Sequence, residues 1–307
     1  MRNKHLQITP FLLIFTILFI SIIGTIVYFQ LHTDTQLNPY FAKVLQMNKD
    51  TGYPETLDLQ NVGVNQESEG VNLRVEQTIG DNKSLYALIE VEFPKDEVDL
   101  EALLHDYSRK EVESSIFPKE IEVFVGEGLN DSLSSDQYSQ NRQIPNCYEL
   151  KLVDVDFPRN AAMYLLQYHT YLETLTNKKF AIVLNSFYIQ DQNAKEEKCI
   201  WEGTLHAVWI VENKAEPIQI SFGENEQGKI NLSPIALEIS FPSGEGISLV
   251  DFEETVQLLD NQKLPIKMPS NRQHFSSSST FVEMFVPLLD IEQVRYIRIG
   301  DVILDMD

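Results

Sequence analysis

The sequence predicts a mostly β protein: one N-terminal transmembrane helix followed by one or two antiparallel β-sandwich (Ig-like) domains. Three observations predict it. The run FLLIFTILFISIIGTIVYF at 11–29 is uncharged, later segments repeat their apolar residues every second position, and turn residues punctuate them at short intervals.

From Ile8 to Leu31 no side chain is charged, and a helix of about 20 such residues crosses a hydrocarbon core of roughly 30 Å. A cleaved signal peptide fits less well, because the apolar stretch exceeds the usual ~7 to 15 residues and no small-x-small site follows it. Arg2 and Lys4 hold the short leading tail in the cytoplasm by the positive-inside bias, so the bulk of the chain is expected outside the cell membrane on a single-pass anchor. The expected divisions are 1–10 cytoplasmic tail, 11–30 transmembrane helix, 31–60 stalk and linker, 61–214 first extracytoplasmic β domain and 215–307 second. The 307 residues carry 24 Lys+Arg against 46 Asp+Glu, a net charge of -22, and a phosphate backbone would be repelled by it. Nucleic acid is therefore not an expected partner.

After the span, Asn38-Pro39 ahead of Tyr40, Phe41, Val44 and Leu45 predicts a short capped helix, taken as a stalk, with linker running to about Gln60. Val71, Leu73, Val75 and Ile79 then share one face of a strand. Gly80-Asp81-Asn82-Lys83 turns the chain, and Leu85, Ala87, Ile89, Val91 and Phe93 share one face of the next, giving a hairpin over 71–93. Val98 to Tyr107 has helical spacing among acids. Further strands are expected at 121–125, 150–157, 180–189, 204–211, 230–232, 235–241, 247–251, 256–259, 281–287 and 296–304. The segment AAMYLLQYHTYL at 161–172 fits a helix or a buried strand by period, and its Tyr/Leu content between Pro158 and Asn177 favours a strand. The charged, Pro-containing break at Asn213 to Pro217 marks a boundary.

Two stretches carry a family likeness. Leu232-Ser233-Pro234-Ile235-Ala236-Leu237, opening a strand, and Val294-Arg295-Tyr296-Ile297-Arg298-Ile299-Gly300-Asp301-Val302-Ile303-Leu304, closing the chain, resemble the exported β-rich domain of unknown function in single-span membrane proteins of spore-forming Gram-positive bacteria. The hairpin at 71–93 and the strand at 203–211 resemble it too, so the likeness covers roughly 60–307. In that family the domain is often attached to an anti-sigma-factor-type module, which implies envelope-stress or sigma-factor-linked signalling. This sequence departs from the pattern in having only Met1 to about Thr9 before the span, too few residues to fold around a sigma factor.

No residue set specifies a reaction. Cys147 and Cys199 both fall in the exported part, where a disulfide between them and a pair of idle thiols are equally compatible with the compartment. Neither has the C-x-x-C or nearby His of a zinc site. His206 falls on the strand face opposite Trp209, and His274 precedes a serine run that reads as loop, without the G-x-S-x-G elbow of a hydrolase. Gly126-Glu127-Gly128 and Gly244-Glu245-Gly246 lack the third glycine and the basic residue of a phosphate loop, and Asn82-Lys83-Ser84 is a chance glycosylation match. Acids cluster at Asp96, Glu97, Asp99 and Glu101, at Asp154 and Asp156, and at Asp251, Glu253 and Glu254. Asp154 and Asp156 share a strand face that suits a hard cation, but the spacing of a calcium loop is missing, and a solvated acidic surface explains them better.

The expected function is a non-enzymatic binding or sensing module without cofactor, catalytic residue or metal, whose partners are the membrane and another membrane or envelope protein rather than a small-molecule substrate. The alternatives are an extracytoplasmic hydrolase using paired acids or a bound metal, and a structural subunit of a membrane complex.

Overall fold

In the computed structural model the described residues are 37–46, 54, 56–105, 107, 115–126, 146–171, 174–191, 196–223, 228–241, 256–269, 271–276 and 280–306. The expected span at 11–30, the tail before it, the strand at 247–251 and the loop at Gly244-Glu245-Gly246 lie outside them. Among the described residues no helix is long and apolar enough to cross a membrane.

Residues from Leu37 onward form one compact unit. It begins with α1 (Pro39–Val44), where the Asn38 side chain accepts a hydrogen bond from the Tyr40 N–H at 2.9 Å and Pro39 fills a first-turn position that needs no donor. Phe41 and Leu45, four residues apart and so on one face, are buried at 0% and 1% exposure. The helix expected as a stalk is thus packed into the body, because its apolar face has a sheet to cover.

That sheet contains β1 (Asp58–Ser68), β2 (Val71–Gly80), β3 (Ser84–Glu92), β6 (Ala161–Thr170) and β5 (Asn146–Asp156), in that spatial order. A second sheet contains β4 (Ile116–Gly126), β7 (Lys179–Asp191) and β8 (Glu196–Ile210). The third orders β13 (Asn271–Ser276), β14 (Thr280–Val286), β11 (Ala236–Ser240), β10 (Gly228–Leu232) and β9 (Ile218–Phe222), and the fourth orders β12 (Val256–Leu259), β15 (Tyr296–Ile299) and β16 (Val302–Asp305). Every pairing is antiparallel. The mostly β, antiparallel class read from the two-residue period therefore holds.

The first two sheets share a core. Leu85, Ala87, Ile89 and Val91 of β3 and Ala162, Tyr164, Leu166 and Tyr168 of β6 meet Phe180, Ile182, Leu184 and Phe187 of β7 and Trp209 of β8. Edge-on packing of Tyr168 on Phe180 at 4.7 Å fixes the rings with favourable quadrupole geometry. The opposite face of the first sheet is covered as well. Ile79, Tyr86, Leu88, Met163 and Leu165 pack on α1 and on Ala236, Val282, Met284 and Val286 of the third sheet, which in turn shares a separate core with the fourth.

One correction concerns the hairpin. A bulge between Val75 and Gln77 shifts the register of β2 on β3, so Ile79 leaves the face of Val71, Leu73 and Val75 and joins the opposite one. Strict alternation had put all four together. The structure also adds strands that the sequence reading did not mark: β1 and β9, and β13 beside the serine run read as loop, each at the edge of its sheet. The expected strand at 296–304 is two, β15 and β16, hinged at Gly300, whose φ of +57° suits glycine. The predicted helix over Val98 to Tyr107 shortens to α2 (Leu100–Leu104), capped by Asp99, and 161–170 is a strand as read.

Candidate functional site

The face of the first sheet that meets the third ends in polar groups. Register sets Ser84 of β3 opposite His169 of β6, and His169 opposite Cys147 of β5, so three chemically active side chains stand in one row. Ser84 Oγ lies 2.7 Å from His169 Nδ1, and both residues are 1% exposed. Glu238 reaches the same place from β11, its Oε2 3.8 Å from His169 Nε2 and 3.6 Å from Lys83 Nζ. At 3.8 Å the first of these is an ion-pair contact rather than a hydrogen bond.

The turn between β2 and β3 builds the other wall. Asp81 Oδ1 accepts from the Lys83 N–H at 2.6 Å and the Ser84 N–H at 2.7 Å, closing the turn from within. Gly80 is required beside it, since a Cβ there would stand 2.2 Å from the Ser84 carbonyl oxygen and 2.7 Å from Asn213 Nδ2. Tyr171 accepts a hydrogen bond from Cys147 Sγ at 3.0 Å, and its ring meets that of His169 edge-on.

Charges here are set by burial against neighbours. Burial raises Asp81, opposed by Ser233 and by the N–H groups of Lys83 and Ser84. Burial also works against ionised Glu238, but His169, Lys83 and the Asn231 amide outweigh it and hold that carboxyl at about 2. The Asn231 Nδ2 donates to Glu238 Oε2 at 2.6 Å.

Ser84, His169 and Glu238 have the composition of an acyl-transfer triad, and their geometry argues otherwise. The serine and histidine are sealed from solvent, and the Ser84 N–H, the donor a polarised carbonyl would need, is already bonded to Asp81. What the row does chemically is tie β3 and β6 to β11.

At the far end of the same face sits an ion network. Glu90, buried at 2%, is gripped by the Arg159 guanidinium, whose Nη1 lies 3.2 Å from Oε1 and whose Nη2 bonds Oε2. Arg159 Nε also bonds Asp156 Oδ2 at 2.9 Å, and that oxygen accepts from the Tyr40 hydroxyl at 2.9 Å. Lys43 of α1 bonds Asp154. Asp154 and Asp156 do share a face, but each carboxylate already has a cation of the protein beside it, which removes the reason to recruit a metal. Among the described residues no group of three or more His, Cys, Asp or Glu is arranged to hold one.

The remaining sequence candidates are dispersed. Cys147 and Cys199 are both free thiols, on β5 of the first sheet and β8 of the second, and Cys199 Sγ donates to the Trp201 carbonyl at 3.3 Å. His206 is half-buried on the face opposite buried Trp209, and His274 lies in β13 rather than in a loop. Asp99 caps α2, whereas Asp251, Glu253 and Glu254 lie outside the described residues. The sealed row went unread because its members come from three strands. Its one sequence signal is that Gln167 and His169 interrupt an otherwise apolar AAMYLLQYH.

No protein-family model matches the chain, and no curated protein does. Among solved structures it is similar to the conserved domain protein from Bacillus anthracis, at 11% identity and a TM-score of 0.42, over 78% of this chain and 75% of that one.

Proposed function

We propose that this is a membrane-anchored extracytoplasmic protein of Ig-like β-sandwich layers that acts as a non-enzymatic binding or sensing module. The observation that carries this reading is the closure of the Ser84–His169–Glu238 row. This constellation of hydrolytic composition among the described residues is buried: Ser84 and His169 bond each other within the first sheet, and Glu238 approaches His169 from the third. Anchoring rests on the uncharged run at 11–29, and a link to envelope-stress or sigma-factor signalling rests on the family resemblance of 60–307.

The test combines partner capture with an activity assay. Full-length protein is crosslinked in its own membrane and compared with a version lacking residues 1–36, while wild type and Ser84→Ala are assayed on ester, peptide and glycoside substrates. Stoichiometric recovery of one membrane or envelope partner, with no hydrolysis that S84A removes, supports the module. Hydrolysis abolished in a folded S84A protein would overturn it.

A further inference from the structure

The last strand of the fourth sheet has an open side. Among the described residues β16 pairs with β15 alone, and its consecutive Val302 and Ile303 are 56% and 39% exposed. One bond sets the phase of its ladder: the Met306 N–H donates to the Arg295 carbonyl at 3.0 Å. Bonded pairs alternate along an antiparallel ladder, so Leu304 bonds Ile297 and Val302 bonds Ile299, whereas Ile303 stands opposite Arg298 without exchanging bonds. The Ile303 N–H and C=O therefore point away from β15, to the open side. The other edge of this sheet, β12, is closed by its own chain: the Ile266 N–H donates to the Leu258 carbonyl at 2.9 Å, and Leu259 bridges Pro265.

We propose that β16 is a docking edge that takes an extended, basic segment of a partner protein as a further strand. Edge strands ordinarily carry a lysine, a proline or a bulge that blocks such pairing, and β16 has none of these. Acids flank its apolar pair instead: Asp301 and Asp305, both exposed. In strand addition the main-chain bonds, here at Ile303, supply attachment, and the side chains beside them choose the partner.

Charge selects the occupant. A second copy paired through β16 would gather Asp301 and Asp305 of both chains on one ribbon, between molecules of net charge -22, and like charges across strands repel. A segment with Lys or Arg on either side of β-branched residues meets the same acids favourably. Arg298, the cation opposite Ile303, turns toward β12, where its Nη1 donates to Gln257 Oε1 at 3.0 Å. The edge gives the binding role proposed above a surface and rests on that role.

The test titrates a dye-labelled peptide, Lys-Lys-Val-Ile-Val-Lys-Lys, with full-length protein in detergent micelles and follows its fluorescence anisotropy. Saturable binding should weaken roughly tenfold in Ile303→Pro, since proline there deletes the outward donor and leaves the bonds to β15 in place. General attraction of a basic peptide to an acidic protein would be the same in both. The peptide with Glu for every Lys should bind more weakly by at least roughly the same factor. If I303P does not fold, Ile303→Lys, which guards the edge with charge, replaces it. No saturable binding, equal binding of the acidic peptide, or undiminished binding by the folded variant overturns the docking edge. So does a dimer in sedimentation that the variant abolishes, which would assign β16 to a second copy. A membrane or envelope partner still captured by the variant would leave the binding module standing while the edge falls, so the two readings fail separately.

Discussion

The Tyr86 hydroxyl lies 2.6 Å from the Phe285 carbonyl oxygen, joining β3 of the first sheet to β14 of the third across nearly two hundred residues of chain. The same hydroxyl is 3.1 Å from the Ile235 carbonyl, so one buried donor serves two acceptors at the seam. Burial pushes this phenol well above its ordinary range, which keeps the proton in place.

Tyr86→Phe keeps the ring and removes only the donor; the Phe285 carbonyl loses its 2.6 Å bond across the seam, while the Ile235 carbonyl keeps the Phe285 N–H at 3.0 Å. The expected cost is about 1–3 kcal/mol, which in a body of this size lowers the melting temperature by several degrees. Calorimetry of the two proteins checks it; equal melting temperatures would mean the seam does not depend on this bond.

The strand-by-strand architecture was legible where residues alternate cleanly. Leu85 to Phe93 kept its predicted face because β3 is regular, whereas Val71 to Ile79 did not, because a single-residue bulge reverses the faces without changing composition. Edge strands were missed for a different reason. β1 and β13 are paired along one side only and carry sequences such as DLQNVGVNQES and NRQHFS, whose polar residues match turn chemistry as well as an edge. The candidate site was illegible because Ser84, His169 and Glu238 are brought together by register and sheet packing, and no local spacing encodes either.

Glu238 gives a pH dependence with a definite sign. Its folded carboxyl titrates at about 2, below its ordinary 4.5, so its contribution is present above the unfolded value and is lost as pH falls from about 4.5 toward 2. The shift corresponds to about 3 kcal/mol. Urea denaturation of wild type and Glu238→Gln at a series of acid pH values should show a gap in pH dependence of that order, and parallel curves would refute the assignment.

The Glu90–Arg159 pair is half-open: Glu90 is buried, but the Arg159 side chain is 41% exposed. Arg159→Gln strips the buried carboxylate of its principal partner, leaving Arg74 Nη1 at 3.9 Å, and should cost about 2–3 kcal/mol. Burial already raises Glu90, so the single variant should also take up a proton at higher pH than wild type. Glu90→Gln combined with R159Q should recover part of the loss. A double-mutant cycle with no coupling would show the pair to be an incidental contact.

The two thiols should separate by reactivity. Cys199 is exposed on β8, whereas Cys147 is buried on β5, bonded to Tyr171 and pushed up by burial, so its thiolate fraction and its access are both reduced. Native protein treated with an aromatic disulfide reagent should release one equivalent quickly and the second only on unfolding. Cys199→Ser should remove the fast phase and leave the slow one. Two fast equivalents would show that the Cys147 end of the first sheet opens readily, and no equivalents without prior reduction would show the thiols joined, in conflict with their positions on separate sheets.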